Sequence, residues 1–119
     1  MRLFFYDAIV KSTDDYVYIV NMKTDTSLIS ENMVRDFELP GRIVPGLVPL
    51  WGSLIHERDR ARYDESIEQM LSGLTDVHDV EYQVRNRKNE YVWVVCRGVL
   101  QRDQQGSPAM FAGIVTNLS

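Results

Sequence analysis

Residues Asp79–Ser119, DVEYQVRNRKNEYVWVVCRGVLQRDQQGSPAMFAGIVTNLS, decide the fold. Three apolar segments are separated by two polar turns, RNRKN and RDQQG, a pattern that predicts a three-stranded antiparallel meander. The first strand alternates, with Val80, Tyr82 and Val84 on one face and Glu81, Gln83 and Arg85 on the other. The second strand is apolar on both faces, so the turn decides which set points inward. A two-residue loop, Lys88-Asn89, would place Trp93 opposite Val84. A three-residue loop, Arg87-Lys88-Asn89, with Asn89 left-handed as a bulge, pairs Val84 with Val92 and Gln83 with Trp93. Asparagine tolerates that conformation, and the second register is the expected one. Tyr91, Trp93 and Val95 then lie on the outer face. The last strand sets Phe111, Gly113 and Val115 inward against Met110, Ala112 and Ile114 outward. A solvated face would not carry Trp93, Val95, Met110 and Ile114 together. A cover is therefore expected: an N-terminal helix carrying Phe4, Phe5 and Ile9, a second copy of the domain, or both.

Upstream of the meander, Glu57–Ser72 reads as the best helix, with Tyr63, Ile67, Met70 and Leu71 on one stripe. Glu57 and Asp59 suit its positive end, and Gly73 suits the position just past its last turn. Leu3–Lys11 predicts a short helix with Phe5, Ala8 and Ile9 on one side. Tyr16–Met22 and Thr26–Ile29 predict a hairpin around Lys23–Asp25. Ser30 is a candidate N-cap for a helical segment with Met33, Val34 and Phe37, which must end before Pro40-Gly41. Val44–Ile55 has helical spacing interrupted by Pro49, and short or 3₁₀ turns are expected there. The order of elements gives an α+β domain. Its five-stranded antiparallel sheet has helices on one face and an N-terminal helix on or near the other.

At 119 residues this is one domain with one core. A net charge of −4 leaves no basic footprint for nucleic acid. The lone cysteine, Cys96, cannot form an internal disulfide, which fits a reducing cytoplasm. Asp7 interrupts the apolar start, and no run approaches the roughly 18 apolar residues of a membrane span, so no direct membrane insertion is expected.

The motifs carry a resemblance. Ile55, His56, Glu57, Asp59 and Arg60 match the I-H-P-E-D-R helix start of one branch of the PAS domain family. Glu81-Tyr82, Trp93-Val94, Arg97-Gly98, Gly113 and Asn117-Leu118-Ser119 match, in order, its E-Y-R, W-V, R-G and closing G-x-x-x-D-I-T, the PAC motif. The resemblance covers roughly Asp14–Ser119, with 1–13 as an N-terminal helix or linker. It departs in three places. Glu57 stands where the family has proline, Asn89 where it has glycine, and Asn117 and Ser119 where it has Asp and Thr. The chain stops on the closing motif, which reads as a module taken from a longer protein. The resemblance implies a sensory and dimerisation module that regulates a C-terminal output domain, a diguanylate cyclase first and a histidine kinase second. A homodimer is the implied assembly. Asn117, Leu118 and Ser119 are then the signal-output residues. Phe5, Ile9, Trp93, Val95, Met110 and Ile114 are the dimer or N-terminal-helix face.

The aromatic set Tyr18, Phe37, Trp51, Tyr63, Tyr82 and Phe111 would line a small-molecule pocket, or else form an ordinary packed core. Ile67, Val84, Val94, Gly113 and Val115 belong to the same candidate ligand site. Gly98 and Gly113 would leave space on the inner face. No cofactor is expected. The flavin branch's cysteine motif is missing from the helical middle, and the haem branch's histidine is missing from the long helix. His56 reads as a local helix cap, His78 as a polar strand edge and Cys96 as a small buried hydrophobe. No metal cluster and no nucleophile–base set is visible, and Asp64, Glu65 and Glu68 lie on the helix's polar side. No catalysis is expected. A ligand-free interaction scaffold is the rival reading.

Overall fold

The computed structural model describes residues 2–119, with side chains from Phe4 onward; Met1, the start of the expected N-terminal segment, lies outside the described residues. Ten elements follow in order: α1 (Arg2–Ser12), β1 (Tyr16–Asn21), β2 (Thr26–Ile29), α2 (Glu31–Phe37), β3 (Ile43–Pro45), α3 (Leu47–Leu54), α4 (Glu57–Leu71), β4 (Val77–Arg85), β5 (Tyr91–Arg102) and β6 (Pro108–Asn117). The strands form one antiparallel sheet in the order β3-β2-β1-β6-β5-β4.

The decisive hairpin has the expected register. Val84 pairs with Val92 and Gln83 with Trp93, and Asn89 is left-handed at φ 63°. The Asn86 side chain holds this turn, accepting from the backbone N–H groups of Lys88 (2.9 Å) and Glu90 (3.0 Å). Val80, Tyr82 and Val84 are consequently buried, and Glu81 is exposed.

Two expectations are corrected in the middle of the chain. The sheet has six strands, not five. The extra strand, Ile43–Pro45, pairs Val44 with Ser27 and Ile43 with Leu28 at the sheet edge. Proline is tolerated there because an edge strand need not donate every N–H to a ladder. Residues Leu47–Leu54 form one α-helix rather than short turns. Pro49 does not interrupt it, because it lies in the first turn, where backbone N–H groups have no intrahelical partner. Gly46 makes the entry in the left-handed conformation, φ 63°.

Ser30 precedes α2 as an N-cap by position, but its side chain works elsewhere. Its Oγ accepts the backbone N–H of Val17 at 3.0 Å and ties α2 to the sheet. His56 caps α4 as expected, its Nδ1 accepting from the backbone N–H of Arg58 at 3.1 Å. Asp59, in the first turn of α4, is buried. It accepts from the Gln83 backbone N–H at 2.8 Å and from Arg62 at 3.1 Å, locking the long helix onto β4. The core fills the space between the sheet and the three middle helices. Phe37 meets Tyr16 and Trp51 edge-on, at 5.1 and 4.9 Å between ring centres.

Candidate functional site

The inner face borders a cavity of about 30 Å³. Of the residues expected there, Tyr18, Trp51, Tyr63, Ile67, Phe111 and Val115 line it. Phe37, Tyr82, Val84 and Val94 are buried in the surrounding core without lining it. Gly113 is not a lining residue either. The glycines do not leave free space: a Cβ on Gly98 would collide with the Tyr18 hydroxyl and the Phe111 ring, and one on Gly113 with the Arg97 carbonyl and Gly98. The Gly98–Gly113 pair is the cradle into which two aromatic side chains fold, and their rings lie 5.3 Å apart.

The three expected hydroxyls do point into this interior, and each meets a partner. Tyr82 Oη accepts from Trp51 Nε1 at 2.6 Å. Tyr63 Oη donates to the Val48 carbonyl at 3.2 Å. Tyr18 Oη lies 3.4 Å from Cys96 Sγ. Burial raises the pKa of all three phenols, and burial raises the Cys96 thiol to about 11. Cys96 is the buried thiol that the sequence predicts, and it lines the cavity.

Sequence reasoning missed Val20, Met33, Leu47 and Val48 on the cavity wall, and above all His78. His78 is not a polar strand edge; it is 1% exposed. Its Nδ1 lies 2.8 Å from Ser66 Oγ on α4, and its ring meets Tyr63 and Phe111 edge-on at 5.8 Å each. Burial pulls its pKa down to about 4, so the imidazole is neutral near pH 7. The missed signal was the strand's own alternation. His78 shares the inward phase of Val80, Tyr82 and Val84.

The outer face is arranged differently. Helix α1 anchors to it through Tyr6, one position away from the expected stripe, and Tyr6 is buried. Phe5 and Ile9 remain 62% and 50% exposed. They line an apolar cleft of about 380 Å³ against Val17, Ile19, Ala112 and Ile114. Val95 is buried, Met110 and Ile114 are half-buried, and Trp93 is 44% exposed. At the end of β6, the Leu118 N–H donates to the Trp93 carbonyl (2.8 Å) and the Trp93 N–H to Ser119 Oγ (3.0 Å). Asn117 Oδ1 accepts the Ser119 N–H at 2.9 Å, so asparagine here makes a local turn rather than an ion pair.

Among the described residues no group of three His, Cys, Asp or Glu could hold a metal ion, and no helix is long and apolar enough to cross a membrane. Asp59 is a buried carboxylate, but it lies outside the cavity.

Helices packed on one face of an antiparallel sheet, around a small interior cavity, define an α+β architecture of sheet and helical layer. A family model described as PAS fold matches residues 29–115, and the chain belongs to the PAS family. Solved structures agree on the fold. A sensory box histidine kinase/response regulator from Burkholderia thailandensis E264 superposes with a TM-score of 0.75 at 24% identity, covering 95% of this chain and 83% of that one. The N-terminal domain of a diguanylate cyclase with PAS/PAC sensor from Marinobacter aquaeolei superposes with a TM-score of 0.74 at 19% identity, covering 89% and 96%. No curated protein sequence matches the chain.

Proposed function

We propose that this chain is the sensory module of a bacterial signalling protein. It works as a cytoplasmic homodimer, regulates a C-terminal output domain and carries out no chemistry of its own. A diguanylate cyclase or a histidine kinase is the output, in keeping with the proteins whose sensor domains share its fold. The observation that carries the reading is the double duty of β6. This strand borders the interior cavity through Phe111 and Val115, borders the outer cleft through Ala112 and Ile114, and ends at Asn117, just before Leu118 and Ser119. A ligand can act only by binding one arrangement of the domain better than another. A strand shared by the cavity, the dimer face and the output end is the element through which such a preference would be transmitted. In the full-length protein, Asn117→Ala is expected to change cyclase or kinase activity while the melting temperature of the domain holds. Unchanged basal and stimulated activity would overturn the reading.

A second reading, a ligand-free interaction scaffold, is favoured by the size of the cavity. Its volume of about 30 Å³ is far below the roughly 300–1,000 Å³ of ordinary ligand pockets. Extracting the purified protein and analysing the extract by mass spectrometry separates the two. A stoichiometric small molecule supports the sensor, and none in any expression host supports the scaffold.

A further inference from the structure

The interior cavity and a surface cleft of about 540 Å³ between α3 and α4 share a wall. Val48, Tyr63 and Ile67 line both spaces. The wall is fastened across the two helices by the Tyr63 hydroxyl on the Val48 carbonyl, at 3.2 Å. Beside it, Arg60 Nη1 donates to the Gly52 carbonyl at 2.9 Å. Gly52 permits this close seam, since a Cβ there would lie 3.2 Å from Arg60 and 3.3 Å from Tyr63.

Behind the wall the lining is neutral. Among the described residues no Asp, Glu, Lys or Arg faces the cavity, and burial keeps His78 uncharged and Cys96 a thiol near pH 7. An ion entering here would lose its water and meet no counter-charge. An uncharged molecule with one hydrogen-bonding group would find a partner. Ser66 engages one ring nitrogen of His78, and among the described residues the other has none.

Resting on the sensory reading above, we propose that the α3–α4 seam is the entrance to the cavity, with the Tyr63–Val48 hydrogen bond as its latch. It admits small uncharged molecules that can hydrogen-bond, and it excludes ions.

Cys96, the chain's one cysteine, lines the cavity and reports entry without knowledge of the natural ligand. The probes are methyl methanethiosulfonate and its charged sulfonatoethyl and trimethylammonioethyl analogues. The Cys96 thiolate attacks the reagent's divalent sulfur and methanesulfinate leaves, so rates are taken in alkaline buffer, and each is divided by that reagent's rate with the unfolded chain. The neutral reagent is expected to modify the native protein at a rate flat in low denaturant. It should lead both charged reagents by more than about a hundredfold, the factor that burying an unpaired charge implies. Tyr63→Phe should speed it roughly fivefold, the factor for one lost hydrogen bond. Ile67→Phe, which thickens the wall, should slow it. The entrance is overturned if modification follows the full denaturant dependence of global unfolding, if a charged reagent keeps pace, or if Tyr63→Phe leaves the rate unchanged. Should Tyr63→Phe melt early, the Ile67→Phe rate and the denaturant dependence decide. The experiment reads entry alone. A seam that stays shut leaves output regulation standing, and an output indifferent to Asn117→Ala leaves the entrance standing.

Discussion

The inner and outer faces of the same sheet both carry large apolar side chains, yet these end in opposite states. On the inner face every large side chain is locked. Tyr18 and Phe111 fold into the glycine cradle, Tyr82 holds Trp51, and His78 holds Ser66. On the outer face Tyr91, Trp93, Val99 and Val77 remain exposed, and α1 covers only the strip beside β1. Two glycines at one register position account for much of the difference. Without a Cβ at Gly98 or Gly113, aromatic rings from β1 and β6 can lie flat against the inner surface and close it. No equivalent device closes the outer surface, which leaves it available to a partner.

The contrast breaks most sharply at the glycines. Gly113→Leu would be the natural substitution for filling a cavity if Gly113 left space on the inner face, as the sequence suggests. The structure reverses that expectation, because the new Cβ meets backbone, which cannot swing aside. Gly113→Leu should cost about 3 kcal/mol or more, the upper end of overpacking effects, or prevent folding. Urea denaturation checks it, and a variant with wild-type stability would mean that the inner face has slack.

His78 extends the comparison into pH. Its folded pKa, about 4, lies below the ordinary 6.5. Between those values the unfolded chain holds a proton that the folded chain does not, so stability falls as pH drops from 6.5 towards 4. The loss approaches about 3 kcal/mol, at 1.36 kcal/mol per pKa unit, and is complete below pH 4. His78→Leu should flatten this part of the stability–pH curve. An unchanged slope would show that the histidine is not the buried neutral group described here.

A smaller effect is expected at Tyr82. Tyr82→Phe keeps the ring and strands the Trp51 N–H, which should cost about 1–3 kcal/mol. A loss within experimental error would mean that water replaces the hydroxyl, and that the interior is wetter than its aromatic lining suggests.

The meander was legible in the sequence because local chemistry and alternation agree there. Asn89 marks the left-handed turn, and that turn sets the register and both faces. The middle of the chain was not. A three-residue strand carries too few positions to show a period of two, and Pro49 reads as a breaker unless the helix start is known. Six of the eleven expected site residues line the cavity. The others sit one packing layer away, a distinction that depends on tertiary contacts rather than spacing. His78 was misread because a polar residue at a strand start is usually solvated, although its phase along β4 marked it as inward.

The smallest effect on the folded domain separates the faces most cleanly. Phe5 and Trp93 are 62% and 44% exposed, so Phe5→Ser and Trp93→Ser should each change monomer stability by less than about 0.5 kcal/mol. If the outer face is where two copies meet, the same side chains are buried in the dimer. Each is about half exposed in the monomer, so burying the remainder in both copies contributes about 1.5–3 kcal/mol to association per substituted position. Losing that contribution weakens the dimer by roughly 10- to 100-fold per substitution, since every 1.4 kcal/mol is a factor of ten. Sedimentation at a series of concentrations should therefore show the variants shifting to monomer while their melting curves, taken at monomer concentrations, stay unchanged. Variants that keep the mass of the parent protein would place the partner surface elsewhere and leave the apolar outer face unexplained.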